Sequence, residues 1–411
     1  MKGSKQEKRL LIMIYLLCLL LFTYLGLQSK PFDTLAIVMG VVLCVLIGYS
    51  HFVIRRYYPD GDKFILNFAS VLAVVSIAML YRIDKATSVK QLVWVTIGVI
   101  GYILVVAIIP DMSRFAKYKN VYMIATIVLM PMAFLYAKIT GASAIGGAYN
   151  WISIGKFMVQ PSEFGKITLV LYLAAAFSEY EDNGSIKDDI KQLIVPALVA
   201  GFSLIFLVAQ ADLGSALIFF GIIISLLYVA TSKKLYVALS LGGATAGAIL
   251  GYNLFAHVRE RVMIWRDPWK YALGSSYQIV EGMYSIAAGG LFGVGLGQGH
   301  FQNLPVKESD MIYAIICEEF GIIFAIGLMI IYFLLFYRGI RAAFVTKDSY
   351  SQLIAVGFST MIACQTLVII GGIFSVIPLT GITLPIISYG GSSVLTIFFA
   401  LGILQKVSEE A

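Results

Sequence analysis

The sequence predicts an all-α, polytopic integral membrane protein with about twelve transmembrane helices. Of its 411 residues, 60% are hydrophobic and only 13% are charged, whereas about 25% of the residues of a typical soluble domain are charged. The apolar residues form separate blocks, each long enough for a helix that crosses a hydrocarbon core about 30 Å thick. A single soluble core would not divide in this way, so a soluble protein is excluded.

The apolar blocks give twelve candidate membrane spans. In chain order they cover residues 10–27, 34–54, 64–82, 91–110, 121–138, 164–178, 192–210, 213–230, 235–256, 311–337, 351–374 and 386–405. The first block follows a basic segment but lacks a small-residue cleavage site, so we interpret it as a retained anchor and not as a signal peptide. Spans one and two carry little besides apolar residues. We therefore interpret residues 1–63 as an appended helical pair in front of a core formed by residues 64–411.

Lys and Arg residues are distributed unevenly over the two sets of connecting loops. The set that includes both termini holds 18 of them; the other set holds fewer, five of which lie in the long loop 257–310. This bias predicts cytoplasmic termini and outward-facing loops at 138–163, 257–310 and 375–385. The net charge of +7 has the same origin, since the basic residues lie in short loops between apolar blocks. No nucleic-acid partner is expected.

A first polar cluster, Gln160-Pro161-Ser162-Glu163-Phe164-Gly165-Lys166, stands at the start of the sixth span. Proline, serine and an acidic residue suit the first turn of a helix. One interpretation is therefore a helix cap from which Lys166 extends to the membrane interface. In the other, Glu163 and Lys166 lie three residues apart on one helix face and pair at the rim of an outward cavity.

A second polar cluster, Gln210-Ala211-Asp212-Leu213-Gly214-Ser215, separates two apolar runs. It is too short for a free loop and predicts a tight outward turn. Asp212 either caps the eighth span or lines a polar cavity.

The long loop 257–310 is the segment richest in charged residues, aromatic residues and glycine. It contains Arg259, Arg261, Arg266 and Gln278, followed by a glycine-rich run at 289–297. The glycines resemble a phosphate-binding fingerprint, but the flanking strand and helix are missing, so no nucleotide is expected. The small residues instead allow close packing or the approach of a bulky lipid-linked ligand, and the arginines suit a pyrophosphate.

Asp310 stands where this loop meets the tenth span. From spacing alone it is either the N-cap of that helix or a catalytic carboxylate at the membrane surface. Glu318 follows about two turns later, and we expect it to be a buried, paired structural carboxylate.

The last cluster, residues 378–393, contains two prolines and several glycines at membrane depth. Such a segment predicts a broken helix or re-entrant turn, which is tolerated only against protein or a wet cavity. Ser388 and Ser392 are candidate cavity residues, and shaping the cavity is the favoured role of the segment.

Taken together and in this order, the clusters resemble the SEDS family (shape, elongation, division and sporulation; RodA, FtsW and SpoVE). The resemblance runs from about residue 64 to the C-terminus. The matching motifs are Gly-Ala…Trp with Gln-Pro-Ser-Glu…Lys, Gln-x-Asp-Leu-Gly, Tyr-Gln…Gly-Gly…Gly-x-Gly, Ser-Asp…Glu-Glu-x-Gly, Gln365-Thr366, and Pro-x-Thr-Gly…Leu-Pro…Ser-Tyr-Gly-Gly-Ser-Ser.

This resemblance implies an inverting peptidoglycan glycosyltransferase, a multi-pass protein of the bacterial cytoplasmic membrane. Such an enzyme polymerises lipid II at the outer face, releases undecaprenyl pyrophosphate and works with a class B penicillin-binding protein, a transpeptidase. The family's essential Asp falls on Asp310, which would act as the base, while the arginines or a bound Mg²⁺ or Mn²⁺ ion would meet the pyrophosphate. The candidate substrate-binding or cavity residues are Glu163, Lys166, Asp212, Arg259, Arg261, Gln278, Ser388 and Ser392.

The sequence departs from the family pattern at Asn150 (usually Arg), Ala211 (usually Pro) and Val306 (usually Glu). Two other functions are compatible with many helices and internal polar residues: a flippase or exporter of lipid-linked precursors, and a non-catalytic scaffold of a cell-wall complex. The two halves of the chain show no obvious mutual repeat, which weakens the transporter interpretation. These motifs do not distinguish a role in elongation from one in division or sporulation.

Overall fold

The structure, a computed structural model, describes residues 2–145, 147–155 and 157–410, and most of these residues are helical. The α-helices are α1 Lys2–Gln28, α2 Thr34–Tyr57, α3 Phe64–Ile83, α4 Lys85–Ile108, α5 Lys119–Thr140, α6 Pro161–Ser178, α7 Ile186–Ala209, α8 Leu213–Thr231, α9 Lys234–Leu254, α10 Ala256–Arg266, α11 Tyr277–Gly289, α12 Ile312–Val345, α13 Ser349–Ile373 and α14 Gly391–Glu410. Short 3-10 helices cover Met112–Tyr118, Trp269–Tyr271 and Phe301–Asn303. An antiparallel hairpin, β1 Ile152–Ile154 and β2 Phe157–Val159, pairs Ile152 with Val159.

Within the described residues, 11 helices are long and apolar enough to cross a membrane. They are all the α-helices except α6, α10 and α11. The predicted sixth span is α6, which carries Glu163 and Lys166 and is enclosed by its neighbours along nearly its whole length. The predicted all-α, polytopic membrane fold is confirmed.

The centre of the bundle is formed by α3, α6, α13 and α14. Each of these helices is apolar on most sides, which is the pattern of a helix surrounded by others. Helix α14 packs against α4, and α13 packs against both α12 and α8. The N-terminal helix α1 packs against α2 and α3, so the appended pair lies directly on the core.

Two segments differ in detail from the sequence-based expectation. The predicted long loop 257–310 contains α10 and α11 before it continues in glycine-rich turns. The predicted final span begins at residue 386, but α14 starts only at Gly391. Ile386 accounts for the later start, because its φ of 66° lies in the left-handed region, which a right-handed helix cannot include. Residues 374–390 are irregular, and most of them are buried or partly buried, as expected for a broken helix.

The glycine-rich run 289–297 and the residues that follow it, up to His300, fold over two adjacent glutamates of α12. Glu318 accepts a hydrogen bond from His300 N at 2.6 Å, while Glu319 lies 3.2 Å from Gly299 N and 3.2 Å from Arg82 Nε. Glu318 is only 3% exposed. The prediction that Glu318 is buried is confirmed, but the predicted pairing is wrong for this residue, since the ion pair with Arg82 belongs to its neighbour Glu319 and Glu318 accepts from a backbone amide.

The appended pair contacts this same run through the end of α1. Gln28 Nε2 donates to Leu296 O at 2.6 Å, and Arg82 of α3 donates to the next carbonyl, Gly297 O, at 2.9 Å. In the α1–α2 turn, Asp33 accepts from Tyr81 and pairs with Lys85 at the α3–α4 turn. The turns of the appended pair and of the core therefore form one polar surface at this end of the bundle.

Candidate active site

The irregular segment between α13 and α14, residues 374–390, joins the predicted polar clusters. Leu379 O accepts from Arg261 of α10 at 2.9 Å, and Thr383 O accepts from Gln365 of α13 at 2.9 Å. Near its end, Ser388 Oγ donates to Ser309 O at 2.5 Å, beside Asp310. The broken helix thus positions residues from three distant parts of the chain.

Asp310 lies in the turn that precedes α12, where its side chain is partly buried. Its Oδ1 accepts from Ser309 Oγ at 2.9 Å, and a Cβ atom added at Gly381 would lie 3.4 Å from its Oδ2. The helix begins at Ile312 with Met311 at the N-cap position and no side-chain cap. The helix-cap interpretation of Asp310 is therefore wrong, and its carboxylate faces the irregular segment.

The electrostatic surroundings of Asp310 favour a carboxyl group that exchanges protons near neutral pH. Burial raises the pKa of Asp310 to about 6, although the Ser309 hydroxyl and the positive charge of Arg261 act in the opposite direction. A group with a pKa close to the working pH is well suited to general acid–base chemistry.

Arg261 is the cation whose positive charge acts on this carboxylate. Besides its bond to Leu379, its guanidinium group lies within the electrostatic influence of Asp212, Asp310 and Glu260. Trp265, one turn further along α10, donates from Nε1 to Ser375 O at 2.9 Å. These bonds dock α10 on the irregular segment and fix the position of the Arg261 charge.

Other residues singled out from the sequence lie in different surroundings. Arg259 is on the exposed side of α10. Gln278, in the first turn of α11, is partly buried, and its Nε2 has no hydrogen-bond partner among the described residues. Ser392 lies in the first turn of α14, where its carbonyl accepts from Thr396 Oγ1. The structure thus joins Arg261 to the centre of the site and leaves Arg259 outside it.

Asp212 takes the first of the two roles that the sequence left open, the cap of the eighth span, and its second carboxylate oxygen binds protein side chains. Its Oδ1 accepts from Ser215 N at 3.0 Å and so caps α8, while its Oδ2 accepts from Asn150 at 2.9 Å and from Gln160 at 3.0 Å. The side chain is buried, with 3% of the residue exposed. Asn150, where the family usually has Arg, still supplies a donor to this carboxylate.

Glu163 and Lys166 form the predicted pair, with 2.9 Å between Glu163 Oε1 and Lys166 Nζ. Lys166 is only 1% exposed, so the interpretation in which it extends to the interface is wrong. The pair also lies inside the bundle and not at a rim, because α6 is enclosed. Gln365 Oε1 binds Lys166 at 2.9 Å, and Thr396 donates to Glu163 at 3.0 Å.

Sequence reasoning did not assign Gln365, Thr383 or Thr396 to this network. The signal in the sequence was that these polar side chains lie in or beside apolar spans. They are thirteen or more positions apart in the chain, so their spacing does not predict that they meet. Gln365 connects Lys166 to Thr383 and hence to the irregular segment.

A large apolar cavity of about 1120 Å³ lies between α7, α8, α9 and α10. Almost all of its lining is aliphatic or aromatic, and it extends from Tyr236 at one end to Arg261, Pro378 and Thr380 at the other. Helix α9 forms one wall although it has no buried residue of its own. The cavity therefore suits a long hydrocarbon chain with an anionic group at the end nearest Arg261.

The chain matches known proteins over most of its length. A family model described as "Cell cycle protein" (FtsW, RodA, SpoVE) matches residues 63–411. The chain is 32% identical over 405 residues to "Peptidoglycan glycosyltransferase RodA" of Mycobacterium tuberculosis, covering 93% of this chain and 85% of that protein. It is 35% identical over 324 residues to "Stage V sporulation protein E" of Bacillus subtilis, covering 78% and 86%.

Solved structures share the fold. One, titled "Structural coordination of polymerization and crosslinking by a peptidoglycan synthase complex", matches with a TM-score of 0.71 and 24% identity and covers 85% of this chain and 97% of that one. The rod shape determining protein RodA of Thermus thermophilus matches with a TM-score of 0.61 and 22% identity over 85% of this chain and 96% of that one.

Proposed function

Because the chain belongs to the SEDS family of cell cycle proteins (FtsW, RodA and SpoVE), we propose that it is a peptidoglycan glycosyltransferase that polymerises lipid II. The observation that carries the proposal is the meeting of three features at the irregular segment. Asp310 supplies a carboxyl group, Arg261 supplies a cation, and the apolar cavity ends beside Arg261. A lipid-linked sugar pyrophosphate has the matching parts in the same order: a sugar, an anion and a long apolar chain.

In the proposed reaction, Asp310 acts as the general base. A sugar hydroxyl of one substrate attacks the anomeric carbon of the other, and the Asp310 carboxylate accepts the hydroxyl proton. The new C–O bond forms as the bond from the anomeric carbon to the pyrophosphate oxygen breaks. The electron pair stays on the leaving undecaprenyl pyrophosphate, whose charge Arg261 offsets. A single displacement inverts the anomeric configuration and requires no covalent sugar on Asp310.

The buried polar residues around Lys166 and Asp212 hold the irregular segment in position next to the site. Lys166, through Gln365, reaches Thr383 of the irregular segment, and Asp212 fixes the turn that packs against the same segment. We assign these residues to positioning, because their polar atoms bind protein groups in the folded chain. Arg259, Gln278 and Ser392 remain candidates for contact with the sugar or with a neighbouring chain.

A divalent cation is the alternative means of offsetting the pyrophosphate charge. Among the described residues, no three or more His, Cys, Asp or Glu side chains come together to hold a metal ion. A Mg²⁺ or Mn²⁺ ion at this site would accordingly take ligands from Asp310 and from substrate phosphates, as Mg²⁺ commonly does.

The setting of the reaction follows from the fold and the family. The chain is a multi-pass membrane protein. We place it in the bacterial cytoplasmic membrane with both termini inside and the site at the outer face, on the Lys/Arg bias of its loops. A class B penicillin-binding protein is the proposed partner, which the structural similarity to a chain from a peptidoglycan synthase complex supports.

The test is polymer formation from labelled lipid II by the purified protein in detergent, compared with its Asp310→Asn and Asp60→Asn variants. Detergent solution has no two compartments, so polymer made by the wild type selects an enzyme over a flippase or scaffold. General-base catalysis contributes about 10² to 10⁴-fold, so Asp310→Asn should lose measurable activity. Asp60 is exposed on the α2–α3 connection, and Asp60→Asn should match the wild type. Wild-type yield from Asp310→Asn would exclude it as the base.

A further inference from the structure

Thr380 carries a buried hydroxyl for which the reaction described above has no role. The residue is 6% exposed and lines the apolar cavity, yet its Oγ1 has no hydrogen-bond partner among the described residues. A buried hydroxyl without a partner costs free energy that folding must offset. Buried polar groups are paired in the great majority of cases, so an exception at a cavity wall points to a partner supplied from outside.

The two neighbours of Thr380 in the chain contact the two charged groups of the site. The preceding residue, Leu379, accepts the hydrogen bond of Arg261, and the following residue, Gly381, borders the carboxylate of Asp310. Arg261 and Thr380 also line the same cavity. Thr380 therefore lies at the end of the cavity where Arg261 stands, with its hydroxyl next to Gly214 of α8.

Tight packing keeps Thr380 in this place. A Cβ atom added at Gly214, in the first turn of α8, would lie 2.9 Å from Thr380 Oγ1 and 2.4 Å from a methyl group of Ile382. The irregular segment can approach α8 this closely only because residue 214 is a glycine. Thr380 is accordingly held against α8.

We propose that Thr380 Oγ1 donates a hydrogen bond to a pyrophosphate oxygen of the polyprenyl-linked substrate and product, beside Arg261. The proposal rests on the function proposed above and adds a residue that binds the leaving group. An anionic oxygen is the acceptor that best suits an unpaired hydroxyl next to a guanidinium group, because hydrogen bonds to charged groups are the stronger ones. An alcohol at the same place would offer no such charge.

Binding of radiolabelled polyprenyl pyrophosphate, with the matching polyprenyl alcohol as second probe, tests this role independently of turnover. Thr380→Val keeps the shape of the side chain and removes the hydroxyl. We expect Thr380→Val to bind the pyrophosphate about tenfold more weakly and the alcohol as the wild type does, while Thr380→Ser restores most of the affinity. Because the hydroxyl is unpaired in the free protein, Thr380→Val should not lower the Tm.

Thr231→Val is the matched control. Thr231 is 5% exposed, but its Oγ1 already donates to Leu227 O at 2.7 Å at the far end of α8. This variant should lose some thermal stability and bind both probes normally. Unchanged pyrophosphate binding by Thr380→Val, or an equal loss for pyrophosphate and alcohol, would overturn the proposal. Lipid II polymerisation is measured on the same wild-type sample, so absence of polymer there contradicts the proposed function separately.

Discussion

Asp310 carries a pH dependence whose direction follows from its raised pKa. The pKa is about 6 in the folded chain and about 3.9 for an ordinary aspartate. The folded state therefore holds more protons between these values, and the free energy of unfolding falls as the pH rises from about 4 to about 6. Above that window the ionised Asp310 carboxylate destabilises the fold.

At pH 7 we expect the Tm of Asp310→Asn to equal or exceed that of the wild type. The difference in Tm between the two proteins should become smaller as the pH approaches 4. Thermal unfolding in detergent at several pH values measures it. Wild-type polymerisation should also fall as the pH drops through about 6, since the base becomes protonated. A lower Tm for Asp310→Asn at pH 7 would instead indicate a stabilising capping role.

Substitution of Lys166 should lower the stability of the fold, in contrast to Asp310→Asn. Removing one partner of a buried ion pair leaves an uncompensated charge and costs about 3–5 kcal/mol. Lys166→Ala is expected to lose activity together with stability, because Glu163 stays buried at 5% exposure. The double variant Glu163→Gln, Lys166→Met, which removes both charges, should recover much of the Tm. Equal instability of the single and double variants would mean that the charge pair is not the cause.

At the residue scale, the sequence predicted charged residues better than it predicted their partners. Asp212 and the Glu163–Lys166 pair were found because charge in an apolar protein is conspicuous and because helical spacing predicts which residues share a face. The bond from Arg261 to Leu379 joins residues 118 positions apart. No local pattern predicts such a contact, and for the same reason Thr380 stood out only in the folded chain.

The glycine-rich run between α11 and α12 is held by hydrogen bonds from side chains of other helices, among them Gln28 of α1. We expect Gln28→Leu to loosen this run, because Leu296 O loses its donor, at a cost of about 1 kcal/mol. Hydrogen exchange of residues 293–299 should become faster, with a small decrease in Tm. Leu27→Ala, at a position that is 64% exposed, serves as control and should leave exchange in this run unchanged. Unaltered exchange in Gln28→Leu would show that the appended pair does not hold the run.

Hydropathy predicted the long helices well and the short ones poorly. Helix α10 has the sequence AHVRERVMIWR, which is too polar for a membrane span and too short for a clear periodic pattern. It was therefore included in a loop, although it carries Arg261 into the site. The turn before α8 differs for another reason: Ala211 has φ of 62°, which proline, fixed near −65°, cannot adopt. The residue that replaces the family's proline thus belongs to a differently shaped turn.

Orientation in the membrane is a property of the whole molecule, and the proposed outer-face reaction depends on it. With both termini in the cytoplasm, a cysteine at the exposed Ser275 should react with a membrane-impermeant reagent in intact cells. A cysteine at Lys347, exposed between α12 and α13, should react only after permeabilisation. The reverse pattern would invert the arrangement and move the site to the cytoplasmic side.

The position of the cavity behind α9 also determines which measure of substrate concentration sets its occupancy. If lipid II is the substrate, as proposed, the single peripheral helix that forms one wall implies that the polyprenyl chain enters the cavity sideways from the bilayer, so that encounter is a search in two dimensions. Occupancy then follows the mole fraction of lipid II among the membrane lipids and not its amount per volume of solution. Adding empty lipid to a reconstituted sample, at constant protein and lipid II, should slow polymerisation as dilution of a soluble substrate slows an ordinary enzyme.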